Sequence, residues 1–192
     1  MLMNVQCAAV VFLTCIFSAS TVMSQTPTHG AVEGNVYLDS RYGMRYTFPA
    51  GLKVQTVLNG MPVGTGEKQG SSEFLFDAME DPTGRVRSGV FITSDPRGSL
   101  GAKDASEFLQ GIAKLGMGAK GPVDVREILL AGRKFYRSDV GVGLPVHSYG
   151  AQIATSCNGH FVVFYFSGAS PERVEQLVHS MNTLQLECSE RP

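Results

Sequence analysis

The sequence predicts an α+β fold: a largely antiparallel β-sheet sandwiched between helices. Three observations carry that expectation. From Asn35 onward, short strand-like runs alternate with turn signals and no internal repeat is found. Two segments, starting near Asp104 and Ser170, repeat apolar residues at helical spacing. The run Phe161-Val162-Val163-Phe164-Tyr165-Phe166 is apolar at both parities, so both faces of that strand require cover. One helix precedes the last hairpins and one follows them, so one helix per face is the simple solution.

Each element has its own local reason. Val36 to Leu38 reads as a strand that leads into a turn at Ser40 to Gly43. Met44 to Phe48 follows and is stopped by Pro49-Ala50-Gly51, with Lys53 to Leu58 as a further strand. Glu73 to Met79 and Val86 to Thr93 make a hairpin around Asp81-Pro82-Thr83-Gly84. Asp104 and Glu107 have the spacing of a capping box, and Ala105, Phe108, Leu109, Ile112 and Leu115 form the apolar stripe behind it. A cluster of Gly116, Gly118 and Gly121-Pro122 ends that helix. Val123 to Leu130 and Arg133 to Val140 form a hairpin across Ala131-Gly132. Val146 to Ser156 and His160 to Ser167 form another across Asn158-Gly159, the strongest two-residue turn signal in the chain. Such a turn sets Cys157 opposite His160 and Ile153 opposite Phe164. Ser170-Pro171-Glu172 opens the last helix with an N-cap, a first-turn proline and an early acid. Val174, Leu177, Val178 and Met181 are its buried stripe, and a short Leu184-Gln185-Leu186 tail reaches Cys188.

At 192 residues and 43% hydrophobic, the chain suits one globular domain, which excludes disorder, collagen and coiled coil. A formal net charge of -1 leaves no field to steer it to nucleic acid or anionic membrane. Val5 to Phe17 is apolar but shorter than the roughly 20 residues of a membrane span, and small residues follow it. We read residues 1–24 as a signal peptide, cleaved after Ser20 or Ser24, although Met1 to Gln6 carries no Lys or Arg. The competing readings are an uncleaved anchor and a buried apolar helix. Residues 25–34 then form a flexible leader and 35–188 a single domain in an exported protein, periplasmic or extracellular. Cleavage removes Cys7 and Cys15 and leaves Cys157 and Cys188. In an oxidising compartment these two are expected to pair, against the alternatives of two free thiols or a Cys157–His160 dyad.

Catalytic signatures are scarce. Gly116-Met117-Gly118-Ala119-Lys120-Gly121 matches G-x-G-x-x-G in letters, but it closes a helix and meets Pro122, whereas a dinucleotide site opens one. Gly64-Thr65-Gly66-Glu67-Lys68 lacks P-loop spacing. No nucleophile elbow, zinc motif or paired C-x-x-C occurs, and His29, His147, His160 and His179 stand apart. No cofactor or metal is expected. Arg85 with Arg87, and Arg133 with Arg137, share strand faces; on neighbouring strands they would make an anion patch, or else a charged edge that resists aggregation.

Tyr37-Leu38-Asp39, followed by Tyr42-Gly43-Met44-Arg45-Tyr46-Thr47-Phe48-Pro49-Ala50-Gly51-Leu52, resembles the opening of PsbP-like proteins. Ala131-Gly132-Arg133-Lys134-Phe135, Gly159-His160-Phe161 to Phe166, Pro171-Glu172 and Met181-Asn182-Thr183-Leu184 resemble the family's later strand, helix and tail motifs. The resemblance covers about residues 35–187 and rests on packing motifs. It implies an antiparallel sheet between helices and accessory or binding roles in place of catalysis; no ligand set carries over.

The expectation from the sequence is therefore an exported, monomeric accessory protein that binds another envelope or secreted protein. Its contact surface would be the glycine-rich loop Asn59 to Ser71, represented by Met61 and Lys68, with Arg85 and Arg87 beside it. Two alternatives stand: a small-ligand or metal carrier, and a thiol hydrolase using Cys157 and His160.

Overall fold

The computed structural model describes residues 30–55, 57–58, 61–62, 68–69, 72–81, 88–117, 123–142 and 148–188. Along the chain the strands are β1 (Gly30–Glu33), β2 (Val36–Asp39), β3 (Met44–Thr47), β4 (Lys53–Val54), β5 (Val57–Leu58), β6 (Met61–Pro62), β7 (Lys68–Gln69), β8 (Ser72–Met79) and β9 (Gly89–Pro96). Helix α1 (Ala105–Met117) follows, then β10 (Val125–Leu130), β11 (Arg133–Val142), β12 (Ser148–Cys157), β13 (His160–Gly168) and α2 (Pro171–His179). Among the described residues, no helix is long and apolar enough to cross a membrane.

The main sheet is antiparallel, in the order β10-β11-β12-β13-β9-β8-β4, with β7 also paired to β8. Its central strand is β13. Asn158 and Gly159 both take positive φ (49° and 77°), the two-residue turn that matches strand twist, and the register sets Cys157 against His160 and Ile153 against Phe164 as expected. Ala131 and Gly132 make the same kind of turn at φ 49° and 75°. A bulge at Leu75 lets Phe74 oppose Thr93 and Phe76 oppose Ile92.

Both faces of β13 are covered. Phe161 and Val163 pack with Ala154 under Phe108 and Leu109 of α1, with Phe108 stacked on Phe161 at 4.7 Å. Val162, Phe164 and Phe166 face Val174, Leu177 and Met181 of α2 and its following turn. Asp104 caps α1 by accepting from the Glu107 N–H at 2.9 Å, and Ser170 caps α2 by accepting from the Arg173 N–H at 3.2 Å.

Three expectations need correction. The strands before residue 50 do not extend the main sheet: β1-β2-β3 is a separate antiparallel sheet that shares the α2 face, driving Tyr37, Tyr46 and Phe48 into the same core. The last part of the expected leader is β1 itself, paired to β2, because Gly34 (φ 62°) turns the chain tightly enough to close a hairpin. Leu115 is 72% exposed, so the apolar stripe of α1 outlasts the surface it packs on, and Ala113 takes an inward place.

Cys157 and Cys188 form the expected disulfide, across 31 residues of sequence. It fastens the tail to the β12–β13 turn, while Gln185 exchanges both backbone hydrogen bonds with Arg45 of β3 at 3.0 and 2.9 Å. Replacing both cysteines in the C157S/C188S variant should lower stability by about 3–4 kcal/mol. Denaturant unfolding of variant and parent checks this; equal midpoints would mean that the tail is held by Gln185 and packing alone.

Candidate functional site

Of the residues expected to form the contact surface, Met61 and Lys68 fall in described strands of two different sheets. Met61 pairs with Leu58 in the two-stranded β5–β6 hairpin, and Lys68 pairs with Glu73 of β8. Part of the Asn59 to Ser71 stretch is thus strand, and its end is pinned to the edge of the main sheet. Arg85 and Arg87 lie outside the described residues, as do His29 and His147. Arg133 and Arg137 lie on β11, which β12 and β13 separate from β9. Arg137 is also committed: its Nε donates to Asp139 at 2.7 Å and its Nη1 to Glu175 of α2 at 3.1 Å. The thiol reading fails as well. Cys157 is in the disulfide, and His160 turns its Nδ1 to the Asn158 carbonyl at 3.1 Å. Among the described residues, no group of three His, Cys, Asp or Glu side chains is arranged to hold a metal ion.

What residue spacing did not reveal is a buried polar cluster where the β2–β3 turn meets the main sheet. Asp39 is 1% exposed and accepts from the Arg41 N–H at 2.9 Å, from Tyr37 at 3.2 Å and from Arg41 Nη2 at 3.3 Å. Arg41 Nη1 also donates to Glu73 at 2.6 Å, and the guanidinium lies 5.1 Å from the centre of the Tyr42 ring. Tyr42 meets Ser94 of β9 at 2.5 Å, and the Asn158 amide donates to the Arg41 carbonyl at 2.7 Å. One cation thus serves two buried carboxylates from different sheets. Burial opposes the Arg41 charge, but Glu73, Tyr42 and Asp39 outweigh it and hold its pKa above the ordinary arginine value. Burial, reinforced by Asp39, pushes the Tyr37 phenol far up. The Asp39 and Glu73 carboxylates find their partners within the cluster, the buried Arg41 Nε has none among the described residues, and the arrangement reads as a lock between the two sheets.

On the main sheet, β9 carries another buried acid. Asp95 accepts from Ser72 at 2.6 Å, and burial pushes its pKa up, against the opposing pull of Ser72, Thr93 and His160.

An open groove of about 370 Å³ lies between the β10–β11 hairpin and the tail. Leu130, Phe135, Leu184 and Leu186 supply its apolar lining, Arg133 its cation and Glu187 its acid. The Glu187 side chain leans over Gly43, where an added Cβ would meet it at 2.4 Å, and it makes no ion pair with Arg133. Arg133 has no ion-pair partner among the described residues, whereas Arg41, Arg126, Arg137 and Arg173 all have one. Arg133 and Arg137 do share a strand face, as the sequence implies, but they line different depressions.

Replacing the Arg41 guanidinium in Arg41→Met strands two buried carboxylates and should cost about 3 kcal/mol in urea unfolding. Adding Asp39→Asn and Glu73→Gln should recover part of that loss. Asp95 titrates with the opposite sense to a salt-bridged acid. Because its folded pKa is raised, its contribution is full below the ordinary aspartate range and is lost as pH rises through the raised value. Asp95→Asn should therefore match the parent near pH 3 and exceed it in melting temperature at neutral pH, which a melting series across pH reads directly.

No protein-family model and no curated protein matches the chain. Among solved structures it is similar to the solution structure of cyanobacterial PsbP (CyanoP) from Synechocystis sp. PCC 6803, with a TM-score of 0.48 and 15% identity over 82% of this chain and 98% of that one. That is the family which the opening and closing motifs resemble.

Proposed function

We propose that this is an exported binding protein without catalysis of its own, and that it contacts another envelope or secreted protein through the groove beside Arg133. The observation that carries the reading is the state of that side chain. Arg137, on the same face of β11, is neutralised by Asp139 and Glu175, while Arg133 has no ion-pair partner among the described residues and sits beside the half-buried Leu130 and Leu186. An uncompensated guanidinium over apolar surface is a common hot-spot composition at protein interfaces. The Val5 to Phe17 run and the disulfide both suit an oxidising compartment.

A second reading, carriage of a small amphipathic anion, draws on the groove's volume of about 370 Å³, which falls within the usual range for small-molecule sites. Crosslinking followed by pull-down of the tagged mature chain from envelope and culture fractions separates the two. A stoichiometric partner held by the parent and lost in Arg133→Glu is the expected result. A partner retained equally by both would move the contact surface elsewhere. A partner-free monomer would overturn the protein-binding reading, and native mass spectrometry would then look for a small ligand.

A further inference from the structure

The tail makes an isolated antiparallel bridge to β3 and leaves its other side open. In an antiparallel pair the backbone groups alternate, so that a residue bonded to its partner is flanked by residues whose N–H and C=O point away. Gln185 exchanges both of its bonds with Arg45, and the Glu187 N–H donates to the Tyr42 carbonyl at 3.0 Å. Leu184 and Leu186, which also line the groove, therefore turn their free backbone groups away from β3. Among the described residues, the Leu186 N–H and the Leu184 and Leu186 carbonyls have no hydrogen-bond partner. The tail cannot swing away to hide this edge, because the disulfide holds Cys188 to β12. The far wall of the groove is Leu130, Ala131 and Arg133.

The other long edge nearby is guarded. β10 carries Arg126 and Glu127, engaged with Asp139 at 2.6 Å and Lys134 at 2.9 Å, and charges of this kind discourage strand addition. The tail edge has no such guard, since Glu187 is drawn over Gly43.

Resting on the binding reading above, we propose that the groove takes an extended peptide segment bearing an acidic side chain. The segment adds as a strand to the open edge of Leu184–Cys188, sets apolar residues against Leu130 and Leu186, and lays its carboxylate on Arg133. Main-chain pairing supplies affinity in this mode, and the pocketed side chains supply selectivity. The charge-assisted contact to Arg133 adds preference for acid over base.

The test uses the full mature chain and fluorescein-labelled heptapeptides that alternate valine and threonine, with one glutamate, or one lysine in its place. Fluorescence anisotropy should show the glutamate peptides binding, and the lysine series at least about tenfold weaker. Arg133→Gln should erase that preference and Arg133→Glu reverse it, with unchanged circular dichroism confirming the fold. N-methylation of alternate peptide amides should abolish binding in one register only. Hydrogen exchange at the Leu186 amide should slow at least tenfold in the bound state, while Gln185, already bonded, stays unchanged. Equal binding of both peptide charges, or bound peptide without protection at Leu186, overturns the proposal. Binding of octanoate but of no peptide also overturns it and assigns the groove to small anions. A partner captured by pull-down but crosslinked away from the tail would sink the strand-addition model and leave the binding reading standing.

Discussion

The fold depends on β13, a strand whose side chains are apolar on both faces. Phe161, Val162, Val163, Phe164 and Phe166 are all at most 2% exposed, so neither face of this strand can be left to water. Covering one face requires α1, and covering the other requires α2 together with a second sheet. At about 25 cal/mol per Å² of apolar surface, each buried phenylalanine stabilises by roughly 2–3 kcal/mol relative to exposure. Strands farther from β13 can tolerate polar faces, and they do: β10 shows charges on its edge and β1 is largely exposed.

The second sheet brings a difficulty that the main core does not have. It must dock a polar turn, Asp39 to Gly43, against the end of a buried sheet. Arg41 resolves it by serving one carboxylate from each sheet, with its own peptide groups taken by Asp39 and Asn158. The Asn158 side chain thereby links the β12–β13 turn of the main sheet to the turn of the smaller one. A few residues away the disulfide and Gln185 close the same seam from the other side. Polar groups, hydrogen bonds and a covalent link all act at the junction of sheets, while the interior of each layer is held by packing.

Much of this was legible from the sequence because the relevant signals are local. Asn158-Gly159 specified the last hairpin and its register, Ser170-Pro171 the start of α2, and the doubly apolar run the need for two layers. The disulfide was expected because removal of residues 1–24 would leave just two cysteines, Cys157 and Cys188. The Arg41 cluster was not legible, since Arg41 meets Glu73 and Tyr42 meets Ser94 only through tertiary contact, and no spacing rule joins residues 32 or 52 positions apart. The independent β1-β2-β3 sheet was missed for a related reason: period-two alternation marks a strand but does not say which sheet it joins. The groove, likewise, is made by a turn and a tail about 55 residues apart, and the contrast between Arg133 and the paired Arg137 is recognisable only once the tertiary contacts are known.

The seam between β3 and the tail also governs the order in which this chain can fold. Arg45 waits for Gln185, Tyr42 for Glu187 and Tyr46 for Ser180, partners 134 or more residues later. Synthesised from its N-terminus, the chain exposes Tyr37, Tyr46 and Phe48 long before the surface that will bury them exists. Non-local pairings of this kind slow folding, because loop closure must come before the contacts that reward it. A protein built this way stays threadable until its last strand and helix have emerged, then closes in one late step around β13.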